Sequence, residues 1–470
     1  MSASRTTDAA AFRVTDYLAG KEPWEVFGER IRRYEIHLNA GQVEMTRGPI
    51  ALEGYDIRVF RPREGSLGIG YEASNDFSKE GVQATLEVAE RAARFAAFPS
   101  QRVELPAGRG ATGGIVEVLD RGLWEYPMDS LEGYVTALRT AFEGRKEFAL
   151  SFGSVRATLV ETSISNSAGL HTGYGHTTVD VEVGVKAFGG PEGPSPGEYW
   201  VNETDRRLQP AELGVRVPEW CRYAEDVRRG RPPPPGEMPV VLPAQVLAGI
   251  LPVAFAGKFT GTARARGVST APGTPVAADT VTVHDDGRLP WAPMSSSVDD
   301  EGVPQRRRTL IEHGVASEML YDVLHSSSFE TRSTGNAFRG LSAGFRSWVR
   351  FLQSPTVAPS NLVISPGDGG TDAELVEAAR DGILVQEIGW ASPDLLSGAF
   401  GGEIRLGYRI RGGQLAEPIR GGTVGGFVLG RDGTPAIFTQ LAAIGSRPTF
   451  ADPVSSPPLL VRSLTVGGEQ

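Results

Sequence analysis

Apolar and polar residues alternate with a period of two over residues 34–38, 42–46, 56–60 and 68–72, the pattern of strands with one face buried and one wet. Ser78 then offers a helix N-cap, and Val82, Leu86, Ala89, Ala93 and Phe95 recur at roughly helical spacing. A helix with one apolar face is therefore predicted to lie on that sheet. Asp129-Ser-Leu-Glu132 has capping-box spacing and opens a second predicted helix, with Leu131, Val135, Leu138 and Phe142 along one side. Two strands follow. In the second, Val179, Val181, Val183 and Val185 point one way while Asp180, Glu182 and Lys186 point the other. The intervening residues 166–175 read as a turn.

The clearest punctuation is Arg231-Pro-Pro-Pro-Pro-Gly236, because consecutive prolines favour an extended, stiff connector and cannot supply ladder hydrogen bonds. Beyond it, residues 280–284 and 288–291 flank Asp286-Gly287 and suggest a hairpin. Thr371-Asp-Ala-Glu374 caps a further helix, residues 383–388 form a buried strand, and residues 403–423 continue as strands separated by glycine pairs. The fold class expected is α+β. Residues 1–24 are a flexible N-terminus and 25–110 an α+β N-terminal domain. A central α+β domain with antiparallel strands spans 111–230, the linker 231–236, and a β-rich C-terminal domain with a few buried helices 237–470.

Composition narrows the class of protein. At 470 residues the chain is too long for one ordinary core, which agrees with two or three domains. It has no run of about eighteen apolar residues, and its first residues lack the apolar centre of a signal peptide, so a cytoplasmic location and no membrane contact are expected. The formal net charge is −10 and the tight basic run is Arg306-Arg-Arg308, a poor match to a phosphate backbone, so no nucleic-acid partner is expected. A single cysteine, Cys221, excludes an intramolecular disulfide and a cysteine-only metal cage.

Four segments carry a resemblance: Asn166-Ser-Ala-Gly169, Ser297-Val-Asp-Asp-Glu-Gly-Val-Pro304, Ser333-Thr-Gly-Asn336 and Asn361-Leu-Val-Ile-Ser-Pro-Gly367. In this order, and from about residue 25 to 460, the chain resembles the TldD/PmbA family, also called modulators of DNA gyrase. Catalytic members of that family carry a zinc-binding HExxxH helix at the start of the C-terminal domain. The equivalent stretch here, Leu242-Pro-Ala-Gln-Val-Leu-Ala-Gly-Ile-Leu-Pro-Val-Ala-Phe-Ala-Gly257, contains no His, Glu or Asp. The two histidine positions register near Leu251 and Ala256, with Pro252 at the glutamate. Zinc catalysis needs fixed imidazoles and a carboxylate beside a bound water, so no catalytic residue and no metal are expected in this chain.

What the resemblance implies is a PmbA/TldE-type, non-catalytic subunit. It would form a heterodimer with a TldD-type HExxxH metallopeptidase, which supplies the zinc, and act on small or unfolded peptides, including precursors of peptide or antibiotic natural products. It further implies that Asp299, Asp300, Glu301 and Gly302, with Ser333, Thr334, Gly335, Asn336, Asn166 and Ser167, help line a substrate chamber shared with the partner. The alternative is a homodimeric protein that binds a peptide or small ligand without hydrolysing it.

Competing signals are weaker. His171 and His176 have the HExxxH separation, but Gly173 and Gly175 disfavour a helix and no glutamate follows the first histidine. His37, His284, His313 and His325 are scattered. Gly340-Leu-Ser-Ala-Gly344 matches a nucleophile elbow, yet no histidine follows His325 to serve as its base. Ser365-Pro-Gly-Asp-Gly-Gly-Thr371 lacks the lysine of a phosphate loop. Asp299, Asp300 and Glu301 have the oxygens a hard cation takes, but beside Gly302 and Pro304 they read as a turn held by carboxylate-to-backbone hydrogen bonds.

Overall fold

The structure is a computed structural model that describes residues 9–21, 23–100, 102–108, 116–189, 196–342, 345–430 and 434–469, without the side chains of Ser342, Phe345 and Arg346. It is α+β. The first half is built on a seven-stranded antiparallel sheet of β1 (Trp24–Asn39), β2 (Gln42–Arg63), β3 (Ser66–Ser74), β4 (Ala97–Phe98), β5 (Phe148–Asn166), β6 (His171–Ala187) and β7 (Gly197–Asp205), in the order β4-β3-β2-β1-β5-β6-β7. Ala40 and Gly41 join β1 to β2 with φ of 47° and 73°, the left-handed pair that a two-residue hairpin turn requires. The short strands expected at 42–46 and 56–60 are parts of the one strand β2. Its register on β1 runs from Gln42 opposite Asn39 to Val59 opposite Trp24. Residues 42–49 are exposed whichever way they point, so backbone pairing there leaves no apolar alternation to read.

The expected boundary between 25–110 and 111–230 runs through this sheet. β1 pairs with β2 on one edge and with β5 on the other, from Glu25 opposite Asn166 to Asn39 opposite Phe152. A 16-residue strand buried along most of its length needs partners on both edges, whatever their distance in sequence. The N-terminus is also tied down. Helix α1 (Phe12–Thr15) buries Val14, and Ala11 and Leu18 join the same cluster as Trp24 and Val26. Residues 1–8 lie outside the described residues.

Helix α2 (Lys79–Ala93) starts where the cap predicts, with the Ser78 hydroxyl accepting from Gly81 N at 3.0 Å. It lays Val82, Leu86, Ala89 and Ala93 on Tyr55, Ile57 and Val59. Phe95 falls beyond the helix end and is 88% exposed. After α3 (Arg121–Glu125), helix α4 (Pro127–Phe142) begins two residues before Asp129, because Pro127 suits the first helical position. With α5 (Leu213–Arg229) it covers the valine face of β5 and β6.

The second half begins at β8 (Gly236–Leu242), α6 (Ala244–Ala248), α7 (Leu251–Ala254) and α8 (Gly261–Ala265). β9 (Val283–Asp286), β10 (Arg307–Glu312), β11 (Val315–Ala316), α9 (Val323–Ser328), β12 (Ala337–Phe338), β13 (Leu341–Ser342), β14 (Phe345–Arg346), β15 (Thr356–Val357) and β16 (Leu362–Ile364) follow. The rest comprises α10 (Asp372–Ala379), β17 (Gly382–Gly389), β18 (Ala399–Arg411), β19 (Gln414–Ile419), β20 (Thr423–Phe427), β21 (Leu441–Ile444), β22 (Thr449–Ala451), β23 (Val454–Ser456) and β24 (Leu459–Gly467). One sheet runs β17-β8-β24-β20-β18-β19, and β17 pairs with β18 as well, so five strands close on themselves. The other runs β11-β10-β9-β16-β23-β22, and both sheets share one core around Phe255, Phe259 and Phe438.

Two local expectations change. Asp286-Gly287 does not turn a hairpin: β9 pairs with β10 and β16, while the Asp286 carboxylate accepts from Arg288 N at 2.9 Å. The proline run, expected as a stiff connector only, is also bonded to the second half, since Arg231 bridges to Ile419 and Pro233 O accepts from Glu469 N at 3.2 Å. Among the described residues no helix is long and apolar enough to cross a membrane.

Candidate functional site

The turn at Asp299 to Gly302 sits where the two halves meet. Asp299 spends its carboxylate on the backbone, accepting from Glu301 N at 3.0 Å, Val303 N at 2.9 Å and Ala337 N at 3.0 Å. Gly302 has φ of 83°, and a Cβ there would collide with Leu170. Asp300 accepts from Arg339 N at 2.7 Å and pairs with Arg350 at 2.8 Å. Glu301 accepts from Val323 N at 2.7 Å and pairs with Arg58 of β2.

These contacts extend into a buried ionic lattice across the two halves. Arg58 also reaches Glu25 at 3.1 Å, Arg339 reaches Glu25 at 2.9 Å and Asp56 at 2.7 Å, and Arg350 reaches Glu29 at 2.7 Å. The Arg58 and Arg339 side chains and their partners are at most 2% exposed. Burial raises Asp56 well above the usual carboxylate range against the pull of Arg339, and pushes Glu301 up to about 7 against the pull of Arg58. Desolvation weighs heavily on such pairs, so the lattice specifies how the halves dock more surely than it adds net stability.

The other segments singled out by sequence are braces too. The Thr334 hydroxyl accepts from Tyr321 N at 2.7 Å, Ser333 donates to Tyr321 O at 3.2 Å, and Gly335 takes φ of 79° against Pro304. Asn336 donates to Asp285 at 2.6 Å, and burial pushes Asp285 up to about 6. Asn166 accepts from Ala168 N at 2.9 Å and Leu170 N at 3.3 Å, and Ser167 accepts from Trp24 N at 3.1 Å. Of these expected chamber residues, Asp300 is the one that reaches the cleft described next.

A cleft of about 2020 Å³ opens between the first sheet and the second half. One side presents β7 and α5, the other α6, α7, β17 and β22, with Trp200, Trp348, Trp390 and Phe450 at the walls. Both β7 and β22 end their sheets, so two strand edges without a neighbour among the described residues border one space. Nothing in the sequence announced this. Edge position depends on which strands pair, and β7 reads like any short half-buried strand.

The segment registered with the family's metal helix also borders the cleft. It is broken into α6 and α7 around Gly249, and it presents Gln245, Ala248, Gly249, Pro252 and Val253. Leu251 and Ala256, the positions matched to histidines, are fully buried in the core instead. None of these side chains is an imidazole, thiolate or carboxylate, and among the described residues no group of three or more His, Cys, Asp or Glu could hold a metal ion. The donor set does not fit zinc. His171 and His176 lie in strand β6 rather than in a turn, and five residues of extended chain put them on opposite faces. His171 meets Ser165 at 3.0 Å, while His176 is buried at the cleft wall. Ala343, Gly344 and the Ser342 side chain of the elbow-like segment lie outside the described residues.

A family model described as the PmbA/TldA metallopeptidase C-terminal domain matches residues 235–468. A metalloprotease TldD homolog of Buchnera aphidicola subsp. Schizaphis graminum is 27% identical over 216 residues, 45% of this chain and 41% of that protein. A metalloprotease of Archaeoglobus fulgidus is 31% identical over 250 residues, 50% of this chain and 54% of that protein. The chain thus spans about a third to a half of the length of the curated relatives it matches. Among solved structures, a protein from Thermotoga maritima named as a modulator of a DNA gyrase superposes with a TM-score of 0.77 and 18% identity, covering 97% of this chain and 98% of that one. TldE from Thermococcus kodakarensis superposes at 0.76 with 18% identity and the same coverage. At such identity the superpositions establish a common fold. The matched C-terminal domain, with the signature segments in the family's order, makes this chain a member of the TldD/PmbA family.

Proposed function

We propose that this chain is the metal-free subunit of a TldD/TldE-type zinc peptidase. It holds an extended peptide in its cleft, while a TldD-type partner supplies the HExxxH helix, the zinc and the general base. The observation that carries this reading is the pairing of two features in one space: helices without a metal ligand, and the open edges of β7 and β22. A strand edge offers alternating N–H and C=O groups, which recognise a main chain with little regard to side chains. Such recognition suits small or unfolded peptides, including precursors of peptide natural products, handled in the cytoplasm. Zinc bound by the partner would polarise the scissile carbonyl and activate water. This chain's own contribution is to bind the peptide, orient it and help exclude solvent.

The test is coexpression with an HExxxH-bearing family member from the same genome, followed by size exclusion and a peptide-cleavage assay with and without chelator. The expected outcome is coelution, chelator-sensitive cleavage by the complex, and none by this chain alone. Metal-dependent cleavage by the purified chain would overturn the reading. A stable homodimer that binds peptide and recruits no such partner would favour a binding protein without hydrolytic activity.

A further inference from the structure

Glu387 is the half-buried carboxylate on the cleft wall that the protein leaves without a hydrogen bond among the described residues. Other acids of the wall are engaged, while Glu212 and Asp372 stand exposed to solvent. Asp180 accepts from Thr204 at 3.0 Å, Asp205 from Gln209 at 3.1 Å and Glu219 from Tyr223 at 2.8 Å, while Glu203 pairs with Arg216. The arginines of the wall are spoken for as well. Arg339 and Arg350 belong to the ionic lattice, and Arg206 donates to Thr177 O at 3.1 Å and Ser295 O at 3.2 Å. Arg405, the cation that acts on Glu387 from the next strand, pairs with Glu403 at 3.4 Å.

The backbone aims Glu387 into this space. The register of β17 on β18 slips on both sides of Glu387, and in consequence the consecutive residues Gln386, Glu387 and Ile388 all border the cleft where a regular strand would alternate. Aromatic surface lies beside it. Tyr199 of β7 is 5.0 Å from the Tyr223 ring, both pack with Leu384 where the two halves touch, and the Glu387 charge acts on Tyr199. The Tyr199 hydroxyl likewise makes no hydrogen bond among the described residues. Burial pushes the Glu387 carboxyl up to about 7 against the pull of Arg405, and a cation seated beside it would favour its charged form. A hard divalent cation would want about six oxygens. One carboxylate beside aromatic rings instead suits an organic cation.

We propose that Glu387 anchors an ammonium or guanidinium group of the ligand, so that the cleft prefers peptides with a lysine or arginine at that point. This rests on the cleft being a peptide site, as proposed above. The test is calorimetric titration of the full chain with two blocked pentapeptides, alanine throughout except for lysine or glutamine at the centre. The lysine peptide is expected to bind about tenfold more tightly, the worth of one charge-assisted hydrogen bond. Glu387→Gln should erase that difference and leave the glutamine peptide's affinity unchanged. Equal affinity of the wild-type chain for both peptides overturns this proposal and leaves the peptide reading standing, with no variant needed. Binding of neither peptide overturns both.

Discussion

Asp300 shows how the meaning of a residue depends on what faces it. By sequence it belongs to a run of three acids open to a binding role, yet in the fold it joins Arg350 and the Arg339 backbone inside the seam between the halves. Asp300→Ala leaves Arg350 with a buried charge that Glu29 alone must answer, and should cost about 3 to 5 kcal/mol of stability in denaturant unfolding. The exposed cleft-rim acid Asp372, changed to Asn, should stay within about 0.5 kcal/mol. Glu387 gives a pH signature with a definite sign. Burial lifts its carboxyl from the ordinary 4.5 to about 7, so the folded chain holds that proton more tightly than the unfolded one does. The stability it contributes is present at low pH and is lost as pH rises through about 7. Thermal melts across this range should show Glu387→Gln gaining on the wild type as pH increases, and parallel curves would refute the shift.

Among the elements, those set by short-range chemistry were readable. The caps at Ser78 and Thr371 and the valine face of β6 stand as the pattern predicts, because a cap or an amphipathic face is decided within a few residues. Readings that needed a partner failed. Asp286-Gly287 lost its hairpin because β9 found β10 and β16, and the 166–175 turn shrank because β6 begins at His171 to match β5. The broken pair α6 and α7 yields a further prediction. Leu251→His with Ala256→His should not create a zinc site, since both side chains enter the core; metal analysis should find no bound zinc, and unfolding should reveal a loss of about 2 kcal/mol or more from buried polar groups.

At the scale of the molecule, the halves are not independent modules. Glu25, Glu29 and Asp56 belong to the first half, but Arg339 and Arg350 that answer them come from the second. Residues 1–230 expressed alone should therefore lack the cooperative unfolding transition of the full chain when followed by circular dichroism, because they would bury carboxylates without counterions. The sequence by itself determined the family, the α+β class and the absence of any metal-binding side chain between Leu242 and Gly257, since each is written in local pattern or residue identity. Tertiary structure alone decided that β5 completes the first sheet, that the signature acids form a seam, and that β7, β22 and Glu387 look into one cleft. Those facts depend on pairing and burial between residues up to several hundred positions apart, and no local periodicity encodes which distant partner a charge or a strand edge will meet.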